Sequence, residues 1–425
     1  MLAKISELWG GSGARSGSAV PGPAGPTARR QPGTRSTGGG SGRRTARRVT
    51  AACVTALVVM SAAACGSSGS GSTSGSSSAS GSSGSAQGAN VAAAEAALAP
   101  YTGHPSAFPV TTPLPEKLPA GKSFLFLQCG TPFCALAGLS LKTAVTAIGG
   151  KFTVVNAGTT AASSQAAASS ALALKPDVVI FTVDPALFGD GLKKLSAAGA
   201  KIVSISIVKD VAPYGVTFNY IGAAETENDG KLLADWVIAH KGAKANVVFY
   251  GLPTFDFSNP LQQAFVNQMK TLCPSCAVRT VPIDASTIGT TAPGTVVADL
   301  QAHPATNVAV FVSLQMAQGL PAAMKAAGLS GILTVGRAAT PGNLQDIKAG
   351  NLTASLAIDE PVSTWTEIDA AARLLEGVQP TASEQAGDLD EQFLEQKDIT
   401  FNPADGWTGY PDFAQRYATL WHTGG

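Results

Sequence analysis

Ser123-Phe124-Leu125-Phe126-Leu127 decides how this chain is read. After its leading serine the run has no polar position, so it cannot turn one face to water. Both faces of the extended segment call for burial, as in a parallel sheet covered by helices on each side. Working outward, the period changes and changes back. Ala135 to Ile148 has helical spacing, Phe152-Thr153-Val154-Val155 is extended, and Ala161 to Leu174 is helical again. Strand Asp177-Val178-Val179-Ile180-Phe181-Thr182 follows, then a helix over Leu187 to Ala198. Lys201-Ile202-Val203-Ser204-Ile205 and Thr217-Phe218-Asn219-Tyr220-Ile221 close the first series. A second begins with a helix from Glu225 to His240 and strand Asn246-Val247-Val248-Phe249-Tyr250. A helix over Gln262 to Leu272 follows, then Val278 to Val281, Asn307 to Val312, Ile332 to Val335 and Leu352 to Leu356. Strands alternating with helices predict an α/β protein with parallel sheets. The restart near Glu225 predicts two doubly wound lobes in series rather than one long sheet.

The residues before this region do other work. Met1 to Gly42 is rich in Gly, Ser, Pro and Arg without periodicity, and reads as disordered. Arg43, Arg44, Arg47 and Arg48 precede the apolar run Val54 to Met60, which ends in Ala62-Ala63-Ala64 and then Cys65. Basic, apolar, then small is the order of an export signal. The run falls short of the roughly 20 apolar residues of a membrane span. Gly66 to Ala86 is almost entirely Ser, Gly and Ala, a composition that buries nothing and acts as a flexible tether. The leader holds nine of the 29 basic residues and one of the 28 acidic ones, so the remainder carries 20 against 27, a net charge near −7. With no basic patch, a nucleic-acid partner is excluded.

Cys65 directly after the small residues resembles the lipobox of bacterial lipoproteins. That resemblance implies cleavage before Cys65, a lipid on its thiol, and a protein held on the outer face of the cell membrane. Position −3 departs from the pattern, with Ala62 where Leu is commoner. The chain then divides into a leader and signal (1–64), a tether (65–89), a first lobe (90–223, completed by 359–385) and a second (224–358, completed by 386–425).

Four cysteines remain in the folded part, as Cys129/Cys134 and Cys273/Cys276. In an oxidising compartment such local pairs read as disulfides. A zinc site would need pairs about 140 residues apart to meet, with no histidine beside either. Cys273-Pro274-Ser275-Cys276 also resembles a thiol-redox motif, but it closes a helix, whereas activation requires a helix N-terminus.

From Pro113 onward the chain resembles the type I periplasmic binding proteins, the sugar-type solute receptors of bacterial ABC importers. Ala198-Gly199-Ala200-Lys201-Ile202-Val203, Tyr220-Ile221-Gly222-Ala223, Gly230-Lys231-Leu232-Leu233-Ala234, Met316-Ala317-Gln318-Gly319, Ala326-Ala327-Gly328-Leu329, Val335-Gly336 and Leu352-Thr353-Ala354-Ser355 carry the likeness by their order and spacing. The resemblance implies two lobes joined by a multi-strand hinge, a small-molecule ligand in the cleft between them, an ABC permease as partner, a monomer, and no cofactor or metal.

Ligands of parallel α/β sheets sit beyond the carboxyl ends of the strands. The residues just after each strand are therefore the candidates. They are Phe133 (within Cys129 to Phe133), Asp184 and Ser206 in the first lobe. In the second they are Phe255, Asp256, Phe257 and Asn259 (within Thr254 to Asn259), Ser313, Gln315, Arg337 and Asp359. Several differ from the sugar receptors. The family's Asp-Arg pair after strand four is Ser206-Ile207 here, its cleft Arg falls near Leu261, its Asn-Asp is Ser313-Leu314, and its Asp after Val-Gly-Phe is Ala338. Sugar hydroxyls need directional, often charged partners, and most of these are replaced while three phenylalanines remain. Arg337 has two readings: a fork for a ligand carboxylate or phosphate, or an ion-pair partner of Asp359 or Glu360. Replacing it by alanine is expected to abolish binding of an anionic ligand and spare the fold.

His104, His240, His303 and His422 have no metal-ligand spacing. Trp236 and the tail aromatics Trp407, Tyr410, Phe413, Tyr417 and Trp421 read as packing, and Trp365 as packing or cleft lining. No Gly-x-Ser-x-Gly elbow, phosphate-binding Gly-rich loop or His-Glu-x-x-His helix occurs in the sequence, so the chain is read as no enzyme. A sensor receptor, or a tethered enzyme, stays as the alternative. A fold-related transcription regulator would need a helix-turn-helix where the signal lies.

Overall fold

The computed structural model describes residues 89–105, 107–387 and 390–424. The leader, its signal, Cys65 and the tether up to residue 88 lie outside the described residues. No described helix is long and apolar enough to cross a membrane.

The first sheet holds β1 (Ser123–Gln128), β2 (Lys151–Asn156), β3 (Val178–Phe181), β4 (Lys201–Ile205) and β5 (Phe218–Tyr220) in the order β2-β1-β3-β4-β5, all parallel. Phe124 and Phe126 of β1 pack into one buried cluster while Leu125 and Leu127 pack into the other. The apolar run is thus explained, because each side of the sheet is a core. On one side stand α3 (Ala161–Leu174) and α4 (Gly191–Ala197), and on the other α2 (Pro132–Ala147). Thr131 caps α2 by accepting from the Cys134 N–H, and Thr160 with Ser163 forms a capping box on α3.

The second sheet runs β11-β10-β9-β8-β6-β7. Its members are β6 (Asn246–Gly251), β7 (Ala277–Pro282), β8 (Val308–Phe311), β9 (Leu333–Arg337), β10 (Ala354–Ile358) and β11 (Glu391–Glu395). Only β11 is antiparallel, on β10. Sequence reading missed it because Glu391-Gln392-Phe393-Leu394-Glu395 carries too little apolar character to look like a strand. Covering helices include α5 (Ala223–Lys241), α6 (Ser258–Leu272), α7 (Ala292–Ala302), α8 (Leu320–Ala326) and α9 (Pro341–Lys348). Gly230 lets α5 and α6 touch: a Cβ there would sit 2.3 Å from the Leu261 carbonyl oxygen. Gly230→Ala is expected to cost about 1–3 kcal/mol through overpacking, read as a lower urea midpoint with unchanged slope.

The chain ends do not stay with the lobes assigned from sequence. Helix α1 (Val91–Leu98) packs on α5, and the Asn90 N–H donates to the Leu272 carbonyl. The first residues of the described chain therefore belong to the second lobe. Helix α10 (Glu360–Leu375) and α11 (Ala382–Ala386) complete the first lobe, α10 against α2 and β4. Helix α12 (Phe413–Leu420), assigned to the second lobe from sequence, instead joins the first. Tyr417 and Trp421 are fully buried there, Trp421 stacked on Trp365 at 5.1 Å. The physical reason is apolar burial, since Tyr417 and Trp421 pack their rings on Trp365 of α10. Trp236 is buried and its indole N–H donates to Glu395, tying α5 to β11.

The cysteines form two disulfides, Cys129–Cys134 and Cys273–Cys276. The first brackets the start of α2, and the second closes the turn from α6 into β7.

Candidate functional site

The carboxyl ends of the two sheets face each other, and the lobes touch. The Phe133 N–H donates to Gln315 Oε1 at 3.0 Å across the gap. Asp256 of the second lobe accepts from the Val208 and Lys209 N–H groups of the first at 2.8 and 3.0 Å. The Lys209 ammonium bridges Asp184 and Asp256 at 2.7 and 3.0 Å. This is a closed arrangement.

Between the lobes lies a cavity of about 740 Å³, counted to its open mouth. Seven of the eleven sequence-derived candidates line it: Phe133 and Ser206 from the first lobe, and Phe255, Phe257, Ser313, Gln315 and Arg337 from the second. Four do not, and each has a reason. Asp184 and Asp256 are taken up by Lys209 in the clasp. Asn259 is exposed on the first turn of α6. Asp359 caps α10, accepting from the Val362 N–H, the Thr408 hydroxyl and the Gly409 N–H. Trp365 is buried among the tail aromatics, not in the cleft.

Arg337 is 5 % exposed and pairs with neither Asp359 nor Glu360. It is ion-paired with Asp229 of α5, which is completely buried, and stands 5.8 Å over the Phe257 ring. Glu225, Asp229 and Glu391 bring carboxyl oxygens within 4.8 Å of one another. Burial raises both Asp229 and Glu391, and the neighbouring Asp229 charge pushes Glu391 up further. Arg337 supplies positive charge to this cluster from within the protein, so a bound cation would have to compete with it.

Apart from Trp365, sequence reading passed over α10 as a source of lining residues. Glu360, Ser363, Thr364 and Glu367 all face the cavity. Their i, i+3, i+4, i+7 spacing puts them on one face, and that stripe in Glu360-Pro361-Val362-Ser363-Thr364-Trp365-Thr366-Glu367 was the available signal. Burial, then the Asp359 charge, lifts Glu360 to about 8, with Arg337 opposing. Burial, then Glu360, pushes Glu367 well above the usual carboxylate range. For an acid raised in the fold, the native state holds the proton longer than the unfolded chain. Stability should therefore fall as pH rises from 4.5 through about 8. Thermal unfolding of the empty protein is expected to come later near the acid end of that window. Glu360→Gln should flatten the slope, and a slope unchanged by the substitution would remove Glu360 as its source.

Backbone strain gathers at the same place. Ser206, Ile221 and Ala338 have φ of 58°, 61° and 57° and all three line the cavity. Left-handed geometry is unfavourable for any of them and most so for β-branched Ile221, at roughly 1–3 kcal/mol each. Ile221 stands where the chain passes from β5 into α5 and the second lobe.

Two parallel-sheet lobes, touching across a cavity at their strand ends, define a cleft-type binding protein of the type I periplasmic fold. The chain belongs to the periplasmic binding protein domain family, which matches residues 123–379, more than half of its 425 residues. No curated protein matches it in sequence. Among solved structures it is similar to a 5-methylthioribose transporter solute binding protein from Thermotoga lettingae, with TM-score 0.59 and 14 % identity over 71 % of this chain and 98 % of that one. A Caulobacter myo-inositol binding protein gives TM-score 0.57 and 20 % identity, covering 68 % and 97 %. An ABC transporter solute binding protein from Agrobacterium vitis with bound allitol gives 0.55 and 21 %, covering 65 % and 96 %. At these identities the likeness is one of fold.

Proposed function

We propose that this protein is an extracytoplasmic solute receptor, anchored by lipid on Cys65, that closes on one small sugar-like molecule and hands it to an ABC permease. Family membership supports the receptor class, since its members bind solutes rather than transform them. The single observation that carries the reading is the cavity itself. It is built from the strand ends of both lobes, and only lobe contact encloses it. Closure on a ligand is a population shift paid for by tighter binding to the closed form. The interlobe contacts of Asp256 with Lys209 and the Val208 N–H favour that form, and the closed surface is what a permease would recognise. The receptor works as a monomer in this account, with the Ser/Gly tether giving it reach from the membrane.

A thermal-shift screen tests it with sugars, polyols, amino acids, aromatic acids and amines. A ligand that binds only the folded protein raises the melting temperature by mass action. The reading expects a saturable shift with a narrow set of related compounds and no chemical change in them. Conversion of any compound to product would replace the receptor by an enzyme.

A further inference from the structure

Two carboxyl groups in the cavity each leave one buried oxygen without a hydrogen-bond partner. Glu360 and Glu367 lie on one face of α10, two turns apart. Glu367 is 1 % exposed, and its Oε1, like that of Glu360, is shut from solvent without a hydrogen-bond partner. Glu360 keeps some exposure. A buried polar group without a partner is costly and calls for one. The protein does not supply it: Arg337, the only cation lining the cavity among the described residues, is ion-paired with Asp229. The other strong hydrogen-bonding group, Gln315, is engaged with the Phe133 N–H and the Ser313 hydroxyl. What is left for a ligand is two carboxyls against one guanidinium nitrogen, Arg337 Nη2, which also lacks a hydrogen-bond partner, next to the Phe133, Phe255 and Phe257 rings. Aromatic faces attract cations, and carboxylates bind them more strongly.

We infer that the cleft selects a ligand carrying a protonated amine, held by Glu360 and Glu367 with its carbon body against the phenylalanines. This rests on the receptor reading above and narrows its ligand class. It also replaces the anionic ligand expected from Arg337, whose charge is paired with Asp229 even though its Nη2 has no hydrogen-bond partner.

The groups facing the two carboxyls set the proton balance. Asp359 on α10 and Arg337 on β9 act on Glu360, and Glu360 acts on Glu367. From α2 the lining residues are Phe133, disulfide-bonded Cys134, Ala137 and Leu141, and from β4 and its exit Ile205 and Ser206, none of which titrates. In the empty cleft burial, with the Asp359 charge on Glu360 and the Glu360 charge on Glu367, favours the protonated form of both carboxyls. When an ammonium enters, a carboxylic O–H bond breaks, its proton leaves to solvent, and the carboxylate stays paired with the ammonium. Binding is therefore expected to strengthen by up to about tenfold per pH unit for each proton released.

Isothermal titration of the whole protein tests this with matched probes: 2-phenylethylamine against 2-phenylethanol, glucosamine against glucose, and 3-phenylpropionate as the anionic arm. Measurements near about pH 6.5 and about pH 7.5, each in two buffers of different ionisation enthalpy, count the protons released. The expected result is an amine at least about tenfold tighter than its neutral partner in one pair, with proton release. Glu367→Gln, nearly isosteric, should erase that preference without lowering the melting temperature, and Glu360→Gln, at the more exposed carboxyl, should weaken it. Neutral or anionic probes binding as well as the amines would overturn the inference and leave the receptor reading standing. An amine preference that survives both substitutions would also overturn it. Binding by no probe in any arm would count against both.

Discussion

Arg337→Ala is expected to destabilise the protein by about 3–5 kcal/mol, the loss typical of stranding a buried charge. This reverses the expectation from sequence that the substitution would spare the fold. The guanidinium faces Asp229, which has no exposure at all, and Glu391 lies in the same cluster. Without Arg337 those carboxyls must take up protons or draw in water. The loss should therefore shrink toward low pH, where the acids are neutral anyway. A second substitution separates this from simple loss of packing. Arg337→Ala with Asp229→Asn should recover a large part of the stability, because the orphaned charge is gone. Urea unfolding of the wild type, both single variants and the double variant forms the needed cycle. A double variant no more stable than Arg337→Ala would show that the ion pair is not what Arg337 contributes.

Trp421→Ala should cost a similar amount, about 3–5 kcal/mol for a large aromatic side chain removed from a core. Trp421 is fully buried, stacks on Trp365, and its indole N–H donates to Asp369 at 2.6 Å. Asp369 also accepts from the Arg373 Nε–H at 2.6 Å, and Arg373 reaches Glu384 and the Thr112 carbonyl. The substitution thus opens a cavity and unpairs one arm of a buried charge network. Because α12 sits on the first lobe, the damage should fall there. Hydrogen exchange is expected to speed up in β1, β3 and α10 while β6 and β8 stay protected. Faster exchange confined to the second lobe would contradict the placement of the tail.

The strands were legible because they are buried on both faces. Runs such as Val178-Val179-Ile180-Phe181 have no polar position to confuse with a helix, and ten strand segments follow from that pattern. The placement of the chain ends was not legible, since Val91 to Leu98 and Phe413 to Leu420 are short helices whose partners are distant in sequence. Strand β11 was hidden by its glutamates, which are tolerated in place: Glu391 by the Arg337 cluster, and Glu395 by His240, which holds its carboxyl down to about 2. In the site, the rule that ligands sit past strand ends found seven lining residues. It could not find Glu360 and Glu367, because these come from the helix after β10, and their role depends on burial rather than position. It also could not tell that Asp184 and Asp256 answer to Lys209, the pair with Asp256 being one that crosses between the lobes.

Closure of the two lobes on a ligand is the central claim, and small-angle X-ray scattering of the protein with and without a compound that shifts its melting temperature tests it most directly. The account predicts a smaller radius of gyration at saturation, reached at one ligand per chain, with Asp256→Ala needing more ligand to reach the same compact form. A radius of gyration that does not respond to a saturating ligand, with the clasp intact or removed, would contradict it.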